Sequence, residues 1–224
     1  MTPVFIFGAG PQGRVVLDAL RSQGTAIVGG FLEDLQSAIG SEVSGIRVFD
    51  ATHWLAGAAA RDAAVVVAIG NNQTRMTVGQ RVLDAGCRLH PVIHASATVA
   101  ADARIGAGSL VCMHAAVATG CVLGLNVVVN TAASVDHDSV LEDGAYVSPG
   151  VCTAGAVRIG AGAFVGAGAI VGPGVTIGSG AVVGAGSVVL DNLPARSFAY
   201  GTPARVHRVL EGEPDWARIL GGRR

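Results

Sequence analysis

The apolar residues of this chain change period near residue 90. Before it, continuous apolar runs alternate with stretches of helical spacing; after it, an aliphatic residue returns every sixth position from Ile93 to Val189. Thr153 is the one member of that series that is not Ile, Leu or Val. A second register lies four residues after each member, from Ala97, Ala103 and Ser109 to Ser187, and holds only Ala, Ser, Cys or Val. An α-helix repeats near 3.6 residues and a strand near 2, so a strict six with one large and one small apolar residue predicts a short strand followed by a corner. Three such units close a triangular coil of eighteen residues, and stacked coils bury the aliphatic column in a continuous core. The run is long enough for about five coils.

The first ninety residues read differently. Val4-Phe5-Ile6-Phe7 suits a buried parallel strand, and Gly8-Ala9-Gly10-Pro11-Gln12-Gly13 follows at once. Arg14 to Gln23 has Val16, Leu17 and Leu20 on one helical face and Gly24 as a stop. A strand from Ala26 to Leu32 ends in Glu33-Asp34; a short strand near Ile46 to Val48 precedes a helix from about Ala51. A strand from Ala64 to Ile69 runs into Gly70-Asn71-Asn72, and a helix from about Gln73 to Ala85 completes an alternating βα pattern. The pattern divides the chain into a Rossmann-like α/β unit over 1–90, an all-β repeat prism over 91–205 and a tail over 206–224 that reads as a short helical end containing Trp216.

A G-x-G-x-x-G turn between strand and helix offers backbone N–H groups and a helix N-terminus to a phosphate, and an acidic pair ending the second strand suits a ribose hydroxyl. The same glycines also serve plain tight βα packing. About ninety residues make only half of a dinucleotide fold, so a mononucleotide fits better than a whole nicotinamide cofactor, and hydride transfer is disfavoured.

Composition narrows the class. The 224 residues include 33 glycines and are 50% hydrophobic but only 4% aromatic, as a narrow aliphatic prism with glycine corners requires. A net charge of −1 argues against nucleic acid or an anionic membrane as partner, and only Arg223-Arg224 cluster basic charge. Cys87, Cys112, Cys121 and Cys152 are too scattered for a CxxC motif, no signal peptide opens the chain, and apolar runs are too short to span a bilayer, so the sequence reads as cytoplasmic.

Units such as Ile159-Gly160-Ala161-Gly162-Ala163 and Val183-Gly184-Ala185-Gly186-Ser187 resemble the hexapeptide-repeat acyltransferases, which implies a left-handed parallel β-helix. With the Rossmann-like unit in front, the chain resembles a narrower family, the bacterial nucleotide-sugar N-acetyltransferases together with the sialic acid O-acetyltransferases. The likeness covers nearly the whole chain. It rests on Phe5-Ile6-Phe7-Gly8-Ala9-Gly10, Val67-Ala68-Ile69-Gly70-Asn71-Asn72, His90-Pro91 to Ala95, Asn130-Thr131 to Asp136-His137-Asp138, and Gly201-Thr202-Pro203-Ala204-Arg205.

The repeat puts His137 two positions after the inward Val135, outside the prism near a corner. Acetyl transfer from a thioester to an amine or hydroxyl needs a base for the acceptor proton, and neutral imidazole, with a pKa near ~6.5, serves at cellular pH. The resemblance makes His137 that base and Asp138 its supporting carboxylate; the residues alone leave Asp136 as a second candidate. One coil on, 137 + 18 = 155, lies Gly155. The resemblance assigns its N–H to the thioester carbonyl, a donor worth about 3 kcal/mol of barrier.

The resemblance also implies acetyl-CoA contacts at Tyr146, Ala167 and Ala185, nucleotide-sugar contacts at Gly10, Pro11, Gln12, Glu33, Asp34 and Gly70, and a homotrimer with the CoA channel between prisms. Two positions depart from the family: many relatives carry Gly-His at Pro11-Gln12 and histidine at Tyr146. Arg205 suits a CoA phosphate or a cap on the coils. No metal is expected: His90 and His94 lie at the domain junction and His114 and His137 are 23 residues apart, a poor zinc spacing. The resemblance therefore implies transfer of acetyl from acetyl-CoA to the 4-amino group of a nucleotide-linked amino-dideoxy sugar. The rivals are O-acetylation of a sialic acid and a non-catalytic trimeric scaffold.

Overall fold

The computed structural model describes residues 3–24, 26–57, 60–61 and 63–212. In chain order the first unit contains β1 (Val4–Phe7), α1 (Pro11–Ser22), β2 (Val28–Glu33), β3 (Glu42–Val43), β4 (Ile46–Asp50), α2 (Ala51–Ala56), β5 (Ala64–Val67), α3 (Asn72–Asp84) and β6 (Arg88–Leu89). One sheet joins them in the order β3-β4-β2-β1-β5-β6, parallel except for the β3–β4 hairpin. Helix α1 begins three residues before the expected Arg14. Pro11 occupies its first turn, where a missing N–H costs no intrahelical bond and the ring presets φ. The two-residue strands β3 and β6 carry too little apolar pattern to be read from sequence.

From β7 (Val92–Ile93) to β23 (Val188–Val189) the chain forms seventeen two-residue strands on three parallel sheets. Each strand pairs with the one a coil later, as Leu110 with Val128 and Val111 with Val129. The large register points inward: Val111, Val129, Val147, Val165 and Val183 are all fully buried in one core. The corners take a left-handed residue every six positions from Gly108 to Gly186, mostly glycine, although His114, Asn126, Ala132, Asp138 and Ala156 also adopt it. The fold is thus a Rossmann-like unit followed by a left-handed parallel β-helix.

What joins the two halves is the outward column of the first prism face. Val92, Leu110, Val128, Tyr146, Phe164 and Val182 are buried and share one apolar cluster with Val16, Leu17 and Leu20 of α1. Helix α3 lies along the corner before that face, where the Asn72 Nδ2 donates to the Gly162 carbonyl at 2.9 Å. The α/β unit is therefore docked through α1 and α3, which lie along the prism.

The prism does not end where its period fails. Leu193 and Ala199 still fill the core, and β24 (Ser197–Gly201) extends the first face by pairing Ala199 with Val183 of β22 (Val182–Val183), 199 − 183 = 16 residues on instead of eighteen. The expected helical tail is corrected over its first residues. Val206 to Val209 belong to β25 (Ala204–Val209), which lies antiparallel on β24 because that edge strand offers unpaired backbone groups. Trp216, Arg223 and Arg224 lie outside the described residues. Among the described residues no helix is long and apolar enough to cross a membrane.

Candidate active site

His137 stands on the corner that follows β14 (Ser134–Val135) on the second face. Its Nδ1 lies 2.9 Å from Asp138 Oδ2. Asp138 takes the left-handed corner conformation, φ 58°, and its N–H donates to the Thr119 carbonyl at 3.0 Å, which turns its carboxylate back toward the ring. Asp136 is engaged differently, with its Oδ1 accepting the His137 backbone N–H at 2.8 Å. The alternative left open by the residues is thereby decided, with Asp138 on the imidazole and Asp136 on the backbone. The Asp138 hydrogen bond, followed by the charge of Asp136, raises the His137 pKa above its ordinary value. With Nδ1 held by a carboxylate, Nε2, the ring atom nearest the Gly155 Cβ position, is the one left to take a proton.

Two glycines one coil away clear space for this pair. A Cβ on Gly155 would lie 2.5 Å from Cε1 and 2.9 Å from Cδ2 of His137. On the other side, 138 − 18 = 120, a Cβ on Gly120 would lie 2.5 Å from Asp138 Oδ1. Both distances are well inside ordinary van der Waals contact. The Gly155 N–H makes no hydrogen bond among the described residues, whereas Ala154 and Ala156 on either side donate to the carbonyls of Val171 and His137 at 2.9 and 2.8 Å. An unspent donor therefore stands beside the imidazole.

The other sequence candidates fall into separate places. Ala167 and Ala185 are exposed and stack one coil apart, 185 − 167 = 18, on the corner before the second face, so that face lies between them and His137. Tyr146 is elsewhere again. It is buried in the first face beneath the α/β unit, its ring stacked on Phe164 and facing the Arg75 guanidinium, and its hydroxyl accepts from Asn130 Nδ2 at 2.7 Å. Tyr146 thus lies away from the His137 corner, and its ring packs the domain junction.

At the sheet edge, Gly10, Pro11 and Gln12 open α1. Gly8 and Gly13 are packing glycines, since a Cβ on Gly8 would lie 2.7 Å from the Ala68 carbonyl oxygen and one on Gly13 3.1 Å from Phe31. Gly10 is not: nothing lies within 4 Å of its Cβ position. The Glu33 carboxylate braces this turn, accepting from the Ala9 N–H at 3.1 Å and the Asp34 N–H at 2.9 Å. Asp34 pairs with Arg81 at 2.7 Å, and the Gly70 carbonyl accepts from the buried Arg75 at 3.1 Å. The Gln12 side-chain nitrogen is buried without a partner among the described residues.

Sequence reasoning missed Gly120 and the layer beneath it, where Asp102 accepts from the Thr119 hydroxyl at 2.7 Å and the Gly120 N–H at 3.1 Å. The signal was present as residues eighteen before the dyad. Among the described residues no cluster of three or more His, Cys, Asp or Glu could hold a metal ion.

Comparison with known proteins extends over both halves. The PglD N-terminal domain family matches residues 3–82, and the bacterial transferase hexapeptide family, six repeats, matches residues 156–191. A histidine-to-alanine mutant of GDP-perosamine N-acetyl transferase from Caulobacter crescentus, solved with CoA and GDP-perosamine, shares 34% identity and a TM-score of 0.87, covering 93% of this chain and 98% of that one. The acetyltransferase domain of PglB from Neisseria gonorrhoeae FA1090, solved with acetyl coenzyme A, shares 36% identity and a TM-score of 0.85, covering 92% and 98%. WeeI from Acinetobacter baumannii AYE is 26% identical with a TM-score of 0.84, covering 92% and 100%. With its PglD-type α/β unit, its hexapeptide prism and this similarity along nearly its whole length, the chain belongs to the acetyl-CoA-dependent sugar acetyltransferases of the hexapeptide-repeat family.

Proposed function

We propose that this protein transfers the acetyl group of acetyl-CoA to the 4-amino group of a nucleotide-linked amino-dideoxy sugar. The observation that carries the reading is the His137–Asp138 pair set against the unspent Gly155 N–H, on a chain similar throughout to a GDP-perosamine N-acetyl transferase. The acceptor amine attacks the thioester carbonyl carbon; the new C–N bond forms, the C–S bond breaks and CoA leaves as thiolate. His137 Nε2 takes the proton from the amine and returns it to the thiolate. Asp138 orients the ring and stabilises its protonated form, and the Gly155 N–H receives the developing oxyanion.

The nucleotide part of the acceptor occupies the turn at Gly10, Pro11 and Gln12, with Glu33, Asp34 and Gly70 around it. Two features support this: the open space above Gly10 and the unpartnered Gln12 amide nitrogen. Acetyl-CoA lies along the corner that carries Ala167 and Ala185. Because the second face separates that corner from His137, the site is completed by a neighbouring copy in a cytoplasmic homotrimer. The outward residues of this face support such packing, for Thr98, Ala116, Ser134, Cys152, Ile170 and Val188 carry no charge and Ile170 is 50% exposed.

The reading is tested by thiol release from acetyl-CoA against UDP- and GDP-linked 4-amino sugars and free sialic acid, with light scattering for the assembly. Acceptor-dependent release that falls by about 10²–10⁴ in His137→Ala is the expected result. Release only with sialic acid assigns O-acetylation instead; binding of acetyl-CoA with no release over the whole panel assigns a scaffold.

A further inference from the structure

The aliphatic column inside the prism has one polar member, Thr153, and it lies directly one coil above Val135, next to the His137 corner. From Ile93 to Val171, Val135 apart, the residue after each inward position donates its N–H to the carbonyl of the inward residue one coil later. His94 donates to Val111, Ala118 to Val135, Glu142 to Ile159, Ala154 to Val171 and Gly172 to Val189, at 2.8 to 2.9 Å. Among the described residues Asp136 is the exception. Its N–H donates to the Thr153 side-chain Oγ1 at 3.2 Å, and the pairing of β14 with β17 (Cys152–Thr153) is reduced to Ser134 with Cys152.

A second interior side chain reaches the same residue. Cys121, in the small column and fully buried, donates its thiol to the Asp136 carbonyl at 3.1 Å. Asp136 is therefore gripped from inside the prism at both its N–H and its C=O, while outside its carboxylate accepts the His137 N–H. A buried hydroxyl in an aliphatic core costs free energy unless it is bonded, and valine would fill the same volume without that cost. A threonine at this one position needs a reason other than packing.

We propose that Thr153, with Cys121, is a positioning residue: it breaks the coil ladder at one corner and holds the Asp136 peptide so that the His137 imidazole faces the reacting groups. The inference rests on the reading of His137 as the base. In Thr153→Val the Asp136 N–H returns to the ordinary ladder acceptor, the Thr153 carbonyl. The corner then closes like its neighbours and carries Asp136 and the imidazole with it. Thr153→Ser keeps the hydroxyl and the irregular corner.

The test compares wild type, Thr153→Val, Thr153→Ser and Cys121→Ala as full-length protein. Three quantities are measured: steady-state transfer, thermal midpoint, and the pH titration of the His137 ring by nuclear magnetic resonance, with the ring assigned by its loss in His137→Ala. In Thr153→Val, kcat falls by about tenfold to a hundredfold, the cost of a misplacement on the order of 1 Å. Both KM values hold, the thermal midpoint does not fall, and the ring titrates at lower pH as the Asp136 carboxylate shifts. Thr153→Ser restores all of these, and Cys121→Ala gives a smaller loss of the same kind. Unchanged kcat in Thr153→Val overturns the inference, as does a loss matched by a fall in thermal midpoint or repeated in Thr153→Ser. If wild type transfers acetyl to no acceptor, the proposed function fails instead, and an unaltered ring titration in Thr153→Val overturns the inference independently.

Discussion

Replacing Gly155 by alanine separates the geometry of this corner from its chemistry. Gly155 does not adopt a left-handed backbone, so alanine brings no conformational strain, and its N–H remains in place. The new Cβ falls 2.5 Å from His137 Cε1, against an ordinary carbon contact of about 3.5 Å, so the ring must retreat by roughly 1 Å. The imidazole is 55% exposed and retreats toward solvent, so stability changes by no more than about 0.5 kcal/mol. A 1 Å displacement of a catalytic group costs about 10²-fold, or ~2.7 kcal/mol of barrier. The assay is kcat/KM for acceptor-dependent thiol release beside the thermal midpoint, in wild type, Gly155→Ala, His137→Ala and the double variant. The expected outcome is a hundredfold-scale loss at unchanged thermal midpoint, and no further loss from Gly155→Ala once His137 is gone. Wild-type kcat/KM in Gly155→Ala would refute the reasoning, because a ring that tolerates a methyl at its edge is not held where the structure places it.

Two other perturbations probe the same arrangement. Asp138→Asn removes the strongest cause of the raised His137 pKa; since the base works when neutral, the acidic limb of the pH–rate profile should move to lower pH while the maximal rate falls, and an unmoved limb would detach Asp138 from the ring. At the glycine turn, Gly13→Ala should destabilise the protein by about 1–3 kcal/mol through the clash with the Gly8 and Phe31 neighbours. Gly10→Ala should leave the thermal midpoint unchanged and raise KM for the nucleotide sugar alone, and equal destabilisation by both changes would make the turn a packing feature only.

Much of the architecture was legible in the chain. A six-residue period with alternating large and small apolar members has one economical solution, a three-sided coil, because a helix does not return the same face every six residues and a flat strand would return it every two. The same arithmetic stacked Gly155 on His137, and the strand–glycine turn–helix order marked the α/β unit. The docking column Val92, Leu110, Val128, Tyr146, Phe164, Val182 was written at a spacing of eighteen, and a search at that period finds it. That the Tyr146 ring packs the domain junction was not legible, because burial depends on the neighbouring unit.

The sequence by itself determined the coil, its inward residues and the corner that bears His137, because each follows from local periodicity. Tertiary structure alone decided which aspartate meets the imidazole, since a left-handed corner residue points its side chain where strand alternation does not predict. And it alone gave Thr153 a meaning: one hydroxyl in an aliphatic series is a blemish in the pattern until the fold brings the Asp136 amide within 3.2 Å of it. Contacts between residues a coil apart depend on how the chain closes on itself, and no local rule encodes the direction of a single peptide plane.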